Sequence, residues 1–297
     1  MSRPARLGVG VVSAGRVGVV LGAALARAGH TVVAASGVSK DSVRRAEELL
    51  PGVPLLPPDE VVSKADLVLL ALPDDSLSGM VRGLAATGSL RPGQIVVHTS
   101  GAYGVEVLAP AVEHGVLPLA LHPVMTFTGR SEDLERLTAC SIGITAAADD
   151  EVAWNVGEAL VVEMGSDPVR VPPASRPVYH AALTHGANHL MTLVGDAVEL
   201  LRDADIATPE RLIGPLLSAA LDNALRHGDR ALTGPVARGD AGTVRKHLEV
   251  LRDKAPEMLP AYRELARRTA RRATDSGVLR GDLAPDVFDA INEEPSR

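Results

Sequence analysis

The sequence predicts an α/β protein in which a doubly wound parallel sheet is followed by an all-helical C-terminal domain. Over roughly the first 170 residues, short apolar runs alternate with helical segments of about ten or more residues. This alternation indicates crossover connections between parallel strands. After the pair Pro172-Pro173 the strand signals stop and only long helical segments follow, which indicates a second domain of a different class.

The predicted strands are nearly continuous in apolar residues, as expected for a sheet covered by helices on both faces. They lie at residues 7–13, 31–35, 65–72, 95–98, 116–121, 140–145 and 169–171. The helices between them are predicted at residues 16–28, 41–50, 76–86, 105–114 and 150–164, with Gly29 as the C-terminal cap of the first.

The C-terminal part is predicted to be helical at residues 176–202, 209–226, 241–251 and 257–274. Because prolines interrupt regular structure, the pair Pro172-Pro173 marks the predicted boundary. We therefore predict two domains, residues 1–172 and residues 173–297.

The composition argues against nucleic acid as a partner. Aromatic residues make up 2% of the chain and the formal net charge is −7, whereas nucleic-acid binding relies on aromatic platforms and basic surfaces. The single cysteine, Cys140, excludes an intrachain disulfide, and its apolar surroundings predict a buried structural thiol. No segment is long and apolar enough to span a bilayer, so we expect a cytoplasmic protein with no membrane partner.

A glycine-containing turn directly after the first strand predicts a Rossmann-like dinucleotide site. The fingerprint G-x-G-x-x-G makes a tight turn, lets the pyrophosphate approach the backbone and packs the helix closely on the strand. Its glycine positions fall here on Ser13, Gly15 and Gly18, so that a serine replaces the first glycine. We predict that the pyrophosphate lies on this turn; the alternative is a strand-turn-helix without ligand. The predicted contact residues are Ser13, Ala14, Gly15, Arg16, Val17 and Gly18.

The end of the second strand favours NADP over NAD. NAD-binding proteins place an acidic residue about 20 residues after the first fingerprint glycine, but here the strand is followed by Ser36, Ser39 and Lys40, with Arg44 and Arg45 close by. Hydroxyl groups and cations suit a 2′-phosphate. The alternative is that these cations are the solvated face of a helix.

Ligands of open parallel sheets bind outside the carboxyl ends of the strands. Leu72, Pro73 and Asp74 follow the third strand and are predicted to border the nicotinamide ribose. Ser100, after the next strand, is a candidate hydrogen-bond donor to cofactor or substrate. His122, at the end of the fifth, is a candidate proton donor or a structural histidine.

The first helix of the C-terminal domain carries polar stripes. Helical neighbours lie three or four residues apart, so His180, Thr184 and Asn188 share one face and His185 and His189 another. We predict that the first stripe lines a cleft, with His180 as proton donor and Asn188 orienting the substrate. The spacing of His185 and His189 suits a metal ion, but the glutamate of the zincin motif and a third ligand are absent, so no metal site is predicted.

The segment 233–240 is predicted to be a loop, because it contains two glycines and a proline. Asp240 is placed to cap the next helix. Thr233, Arg238 and Asp240 are candidate cleft residues, and a structural loop explains them equally well.

Four segments together resemble a bacterial family that pairs a Rossmann-like domain with a helical C-terminal domain of unknown function. The segments are 12–18 (VSAGRVG), 98–102 (HTSGA), 122–127 (HPVMTF) and 232–240 (LTGPVARGD). The family is similar to pyrroline-5-carboxylate reductases, deazaflavin-dependent NADP reductases and ketopantoate reductases. This resemblance implies NADP as cofactor and a homodimer built on the helical domain.

The resemblance also implies a reaction. Ketopantoate reductases use a lysine and an asparagine on the first helix of the C-terminal domain; Asn188 matches the asparagine, but no lysine occurs between Lys64 and Lys246. His180, His122 or water would then supply the proton. The leading hypothesis is hydride transfer from NADPH to a small carbonyl carbon, with 2-ketopantoate in pantothenate synthesis as substrate. The alternatives are an imine reductase acting on a proline-like ring and an NADP-binding regulatory protein without turnover.

Overall fold

The computed structural model describes residues 6–293, and the chain divides into two compact units, one ending at Gly186 and the other beginning at Ala187. The first unit is built on a seven-stranded sheet and the second is helical. The predicted class, a Rossmann-like α/β sheet followed by a helical region, is confirmed.

The sheet has the strand order β2-β1-β3-β4-β5-β6-β7. The strands are β1 (Gly8–Val12), β2 (Thr31–Ala35), β3 (Leu67–Leu70), β4 (Ile95–His98), β5 (Leu117–Pro123), β6 (Ser141–Thr145) and β7 (Asp167–Arg170). Five of the six neighbouring pairs are parallel, and β5 and β6 are antiparallel.

The antiparallel pair is the one departure from the predicted parallel sheet among the described strands. The connection from β5 to β6 contains a single six-residue helix, α6 (Glu132–Leu137), which packs beside the first helix of the unit. The chain therefore enters β6 at the same end of the sheet at which it left β5. The hydrogen bond of 2.9 Å from the Val124 N–H to the Ser141 carbonyl lies at this end. Parallel pairing would require a crossover connection back to the opposite end of the strands.

The helices of this unit follow the prediction to within a few residues, with three exceptions. The seven-residue helix α3 and the six-residue helix α6 were not predicted, because one or two turns are too short to show a helical period. Residues 105–114, predicted as one helix, form a 3-10 turn followed by the short α5. The helices are α1 (Arg16–Arg27), α2 (Lys40–Leu49), α3 (Pro58–Lys64), α4 (Asp74–Thr87), α5 (Ala109–Val112) and α7 (Glu151–Glu163).

Apolar side chains on the two faces of the sheet enter two separate clusters. Val9 and Val11 of β1 pack in the cluster that includes α1, whereas the neighbouring Val12 packs in the cluster that includes α4. This alternation explains the continuous apolar runs, because both faces of the central strands, such as β1 and β3, are buried. Cys140 is buried in the first cluster, which confirms its expected structural role as a packed thiol.

The helix α8 (Arg176–Asp203) begins in the first unit and ends in the second. The second unit continues with α9 (Pro209–His227), α10 (Gly234–Arg238), α11 (Ala241–Lys254), α12 (Leu259–Asp275) and α13 (Ala284–Asn292). Its core lies among α10 to α13, with residues such as Val244, Leu248 and Val287 fully or almost fully buried. No helix among residues 6–293 is long and apolar enough to cross a membrane.

Two elements of this unit differ from the prediction. The segment 233–240 contains the five-residue helix α10, and α13 was not predicted. Asp240 caps α11 as expected, because its carboxylate accepts the Thr243 N–H at 3.0 Å and the Thr243 hydroxyl at 2.7 Å.

Candidate functional site

The sheet order places a crevice beside β1. The chain leaves β1 toward β2 on one side and continues with β3 on the other, so helices diverge at the carboxyl ends of β1 and β3. Open α/β sheets bind ligands at such a switch point. The turn predicted to hold the cofactor, residues 13–18, lies at this point.

Ser13 adopts the backbone conformation that the fingerprint requires of its first glycine. Its φ is +77°, in the left-handed region that favours glycine. The end of β2 holds this conformation in place: the Ser13 N–H donates to the Ser36 Oγ at 2.8 Å, and the Ala14 N–H donates to the Ser36 carbonyl at 2.6 Å. Ser36 therefore stabilises the turn at residues 13–18. Its hydroxyl oxygen accepts one hydrogen bond, from the Ser13 N–H.

The two glycines of the turn meet different constraints. A Cβ at Gly18 would lie 2.2 Å from the Ser13 carbonyl oxygen and 3.0 Å from the Ala71 Cβ, so only glycine permits this approach of helix to strand. A Cβ at Gly15 would meet only the Ser13 Oγ, at 3.5 Å, within 4 Å. Gly15 precedes α1, and no side chain caps that helix. The first N–H groups of α1 are thus available to an anion, and the residues present fit a dinucleotide.

The residues after β2 divide into structural and exposed groups. Ser39 caps α2 by accepting the Ser42 N–H at 3.1 Å, and Arg44 forms an ion pair with Asp41 at 3.3 Å. Lys40 is exposed, and Val38 is fully exposed. Of the residues predicted to bind the 2′-phosphate, Ser39 thus caps a helix, whereas Lys40 has an exposed side chain.

Two arginines converge at Gly129, which sequence spacing could not show. A Cβ at Gly129 would lie 2.8 Å from the Arg45 Cδ and 3.0 Å from the Arg16 Cγ. The loop that carries Gly129 is held by the fully buried Asp133, whose carboxylate accepts the Gly129 N–H at 2.8 Å. This arrangement gathers positive charge beside the first turn of α1.

The residues after β3 lie at the start of α4. Pro73 precedes the helix and Asp74 is its first residue, while Leu72 is half-buried behind them. Asp74 is near enough to favour the protonated forms of His98 and His122 electrostatically. The ends of β3, β4 and β5 therefore lie close to one another.

His98, at the end of β4, is a buried structural histidine. Its Nε2 is 2.9 Å from the Gly104 carbonyl and its Nδ1 is 3.2 Å from the Ser100 N–H. Burial is the main cause that lowers the pKa of His98 to about 4. A neutral ring that donates from Nε2 and accepts at Nδ1 satisfies both backbone groups.

Ser100 is buried and stabilises the turn that follows it. Its Oγ accepts the N–H groups of Ala102 at 3.2 Å and Tyr103 at 3.1 Å. The hydroxyl hydrogen takes no part in these bonds, so Ser100 keeps a donor.

His122 lies in a cluster of three rings. Its Nδ1 is 2.9 Å from the Tyr179 hydroxyl, and its ring is edge-on to His180 at a centroid distance of 6.1 Å. Burial, the positive charge of Arg176 and the proximity of His180 lower the pKa of His122 to about 4. His122 is therefore neutral near pH 7. Burial also raises the pKa of Tyr179, so its hydroxyl stays protonated.

Two glycines make room for this cluster. A Cβ at Gly143 would lie 2.5 Å from the Tyr179 hydroxyl, and one at Gly101 would lie 2.8 Å from the His122 Nε2 and 2.6 Å from the His180 Cδ2. The Nε2 of His122 thus faces Gly101. Tyr179 was missed as a site residue, although it precedes His180 in the polar stripe.

The remaining candidate residues belong to the second unit. Asn188 lies in the second unit on an exposed part of α8, and its role stays a prediction. Thr233 and Arg238 are exposed, at the two ends of α10. Among the described residues no group of three or more His, Cys, Asp or Glu side chains could hold a metal ion.

Family comparisons agree with this architecture. Residues 1–123 match the model of a Rossmann-like domain, and residues 140–269 match that of a domain of unknown function, DUF2520. The chain combines a Rossmann-like domain with a DUF2520 domain. The family resemblance inferred from the four sequence segments is thereby confirmed.

Several known proteins with related sequence or fold are oxidoreductases by name. The glycerol-3-phosphate dehydrogenase (NAD(P)+) of Bradyrhizobium sp. (strain ORS 278) is 30% identical over 179 residues, which is 54% of this chain and 51% of that protein. The chain thus spans about half the length of this curated relative.

Among solved structures, a Bacteroides fragilis protein assigned as an NADP oxidoreductase has a TM-score of 0.72 at 20% identity, covering 90% of this chain and 98% of that one. An imine reductase from Pseudomonas sp. has a TM-score of 0.60 at 18% identity, covering 97% and 100%. A pyrroline-5-carboxylate reductase from Coxiella burnetii has a TM-score of 0.55 at 16% identity, covering 94% and 99%. At these identities the likeness concerns the fold.

Proposed function

We propose that this protein is an NADP-dependent oxidoreductase that transfers a hydride to a small carbonyl substrate. The observation that carries the proposal is the turn at residues 13–18, where Ser13 takes the backbone conformation of the first fingerprint glycine and Gly18 leaves no room for a Cβ. The open surface above Gly15 and the uncapped start of α1 complete a pyrophosphate site. The named oxidoreductases among the related proteins support the same class of activity.

NADP is the cofactor that the charges favour. The end of β2 carries no acid that would accept the ribose 2′-hydroxyl, and Lys40, Arg16 and Arg45 place positive charge around the first turns of α1 and α2. When bound, NADPH would supply the hydride. Titration with NADPH and NADH, followed by cofactor fluorescence, tests the preference; tighter binding of NADH would contradict it.

The cluster at the ends of β4 and β5 would orient the carbonyl oxygen and supply a proton. A neutral His122 that accepts the Tyr179 hydroxyl hydrogen at Nδ1 presents an Nε2–H toward Gly101. That N–H can donate to an oxygen on which negative charge develops. His180 and the Ser100 hydroxyl are the further candidate donors. Because His122 is neutral, it acts as a hydrogen-bond donor to the developing alkoxide, and His180 or water would supply the proton that this oxygen takes up.

The substrate is proposed from resemblance rather than from a contact. We propose 2-ketopantoate, reduced in pantothenate synthesis, as the first substrate to test. Purified protein that binds NADPH but leaves NADPH absorbance unchanged with ketopantoate would exclude this substrate. A panel that adds pyrroline-5-carboxylate, other cyclic imines and dihydroxyacetone phosphate separates the alternatives, because an imine reductase responds only to the imines. A regulatory NADP-binding protein responds to none of them.

We further propose that the protein is a homodimer formed by α8 and α9. Beyond Arg176 and Pro209, no residue of these two helices is buried. Their exposed apolar side chains include Leu212, Leu216 and Leu225 on α9, which are 57%, 67% and 78% exposed, and Met191 on α8, which is 75% exposed. A concentration of large exposed apolar side chains on two helices is typical of an interface.

The pattern around α9 supports a large contact. At 100° per residue, Leu212, Leu216, Leu221 and Leu225 spread over about 220° of the helix circumference. A surface helix needs an apolar stripe on one side only, so a helix with this pattern is expected to be enclosed by neighbours. Light scattering after gel filtration is expected to give twice the 30.9 kDa of one chain; a monomeric mass would contradict the proposal.

A further inference from the structure

Arg176, the first residue of α8, is the largest fully buried side chain of the described chain, with 1% exposure. A buried guanidinium normally pairs with a carboxylate. Among the residues that the structure describes, no carboxylate lies within ion-pair distance of Arg176. Its hydrogen bonds go to neutral oxygens, and the carboxylates of Glu106 and Asp74 favour its charge only from beyond ion-pair distance.

The neutral oxygens come from two elements of the sheet. The Nε donates to the Tyr103 carbonyl at 2.9 Å, one terminal nitrogen donates to the Thr145 Oγ1 at 3.0 Å, and the other donates to the Ser100 carbonyl. Thr145 is positioned in turn, because its hydroxyl donates to the Val171 carbonyl at 2.7 Å. Arg176 thus joins the turn after β4 to the end of β6.

The same arginine lies against the ring cluster. Its Cζ is 5.7 Å from the centre of the Tyr179 ring, and Tyr179 is hydrogen bonded to His122. The charged and titratable groups around His122 are Arg176, His180, His98 and Asp74, of which Asp74 alone favours a protonated His122. A buried cation without an ion-pair partner disfavours a second positive charge nearby.

We propose that Arg176 is a positioning residue that fastens the turn carrying Ser100 and whose buried charge, in addition to the burial of the His122 ring, disfavours a second positive charge on that ring. The position of the turn that carries the Ser100 hydroxyl and the ability of the His122 Nδ1 to accept the Tyr179 hydroxyl hydrogen then depend on the same side chain. The inference rests on the proposed function only in the roles given to Ser100 and His122. The protonation state of His122 itself can be measured without cofactor or substrate.

The test is an NMR titration of the histidine rings in the full-length protein, with His122 assigned through a H122N variant. In the wild type we expect His122 to titrate near pH 4. In R176Q, which removes the charge, the midpoint is expected to rise by about one pH unit. R176K, which keeps a charge, is expected to titrate close to the wild type.

The matched control is T145V, which removes one of the three oxygens that hold Arg176 but leaves the charge in place. We expect T145V to melt at a lower temperature and to leave the His122 midpoint unchanged. An unchanged midpoint in R176Q, or an equal rise in T145V, would overturn the proposal and leave Arg176 with a purely structural role. If R176Q does not fold, R176M replaces it as the variant without the charge and is expected to show the same rise; a wild-type His122 midpoint at or above 6.5 contradicts the proposal in either case.

These results are independent of turnover. If the midpoints behave as expected but no substrate in the panel is reduced, the electrostatic role of Arg176 stands and the proposed reaction fails. If a substrate is reduced and R176Q leaves the midpoint unchanged, the reaction stands and the proposed role of Arg176 fails. If R176Q loses turnover but the pH dependence of its remaining activity equals that of the wild type, the proposed effect of the Arg176 charge on His122 is also contradicted.

Discussion

At the scale of single residues, the cofactor turn depends on two glycines with separable roles. Gly18 permits the contact of α1 with the turn, and Gly15 leaves a surface open above it. Packing and ligand access can therefore be disturbed one at a time.

We expect Gly18→Ala to lower both stability and NADPH affinity, because the added Cβ would lie 2.2 Å from the Ser13 carbonyl oxygen. Overpacking of this kind costs about 1–3 kcal/mol. Gly15→Ala is the matched variant: its Cβ meets no atom closer than 3.5 Å, so we expect a melting temperature near the wild type and weaker NADPH binding. Thermal melts and fluorescence titrations of both variants measure the two effects. Unimpaired NADPH binding by Gly15→Ala would argue against a pyrophosphate on this turn.

His98 is expected to make the protein sensitive to acid. Its pKa falls from an ordinary 6.5 to about 4 in the folded chain, so between these values the unfolded chain binds the extra proton. Stability is therefore complete above pH 6.5 and decreases as the pH falls toward 4, by roughly 3 kcal/mol for His98. His122 acts in the same direction.

The free energy of unfolding measured by urea at pH 7, 6, 5 and 4 tests this expectation. H98N removes one titrating ring, so its stability at pH 7 is lower but its decline with acidification is expected to be shallower. Parallel declines in H98N and wild type would show that other groups control acid stability.

At the scale of elements, α8 and α9 contrast with α10 to α13. The latter group encloses a core that includes the fully buried Ala270 and Val287, whereas α9 buries only Pro209. An isolated helix of 19 residues owes most of its stability to packing. The integrity of α9 is thus expected to depend on the proposed partner subunit.

Leu216→Glu and Leu225→Glu are each expected to shift the protein from dimer to monomer, because a carboxylate cannot be buried in an apolar interface without a partner. Val152→Glu is the matched control: Val152 is also an exposed apolar residue, 67% exposed, but lies on α7 of the first unit. Light scattering after gel filtration gives the masses. A monomer in all three variants would point to a general loss of folding, and a dimer in both α9 variants would exclude this surface.

The sequence predicts elements well where one local pattern suffices and poorly where distant segments decide. The apolar runs locate every strand of the described sheet, and the turn at Ser13 predicts a cofactor site, which stays a prediction. The antiparallel β6 escapes prediction, since direction depends on where α6 packs. Arg176 and Tyr179 also escape, because their partners lie as far away as Ser100, 76 residues earlier, and Gly143. A buried arginine without a nearby acid has no signature in the local sequence.

At the scale of the whole molecule, the boundary between the two units does not coincide with the change in composition. The pair Pro172-Pro173 marks the end of the strand pattern, yet the compact unit extends to Gly186. The intervening residues include Arg176 and Tyr179. The first turns of a helix that continues into the second unit are thus part of the first.

A fragment ending at residue 186 is therefore expected to melt at a higher temperature than one ending at residue 172. The shorter fragment leaves the Ser100 carbonyl, the Tyr103 carbonyl and the Thr145 hydroxyl without the donor that Arg176 provides, and each buried unsatisfied group costs about 1–3 kcal/mol. R176Q in the longer fragment should remove most of the difference. Equal melting temperatures of the two fragments would mean that water satisfies these oxygens.

The dependence of the first unit on Arg176 also has a consequence for the order of events during synthesis. Chains fold from the N-terminus as they are made, and a unit can close only when its last contributing residue is free. Here that residue follows the final strand of the sheet. The three hydrogen bonds that Arg176 donates can therefore form only after the start of α8 has emerged from the ribosome. Until then we expect the three oxygens at the ends of β4 and β6 to be hydrated.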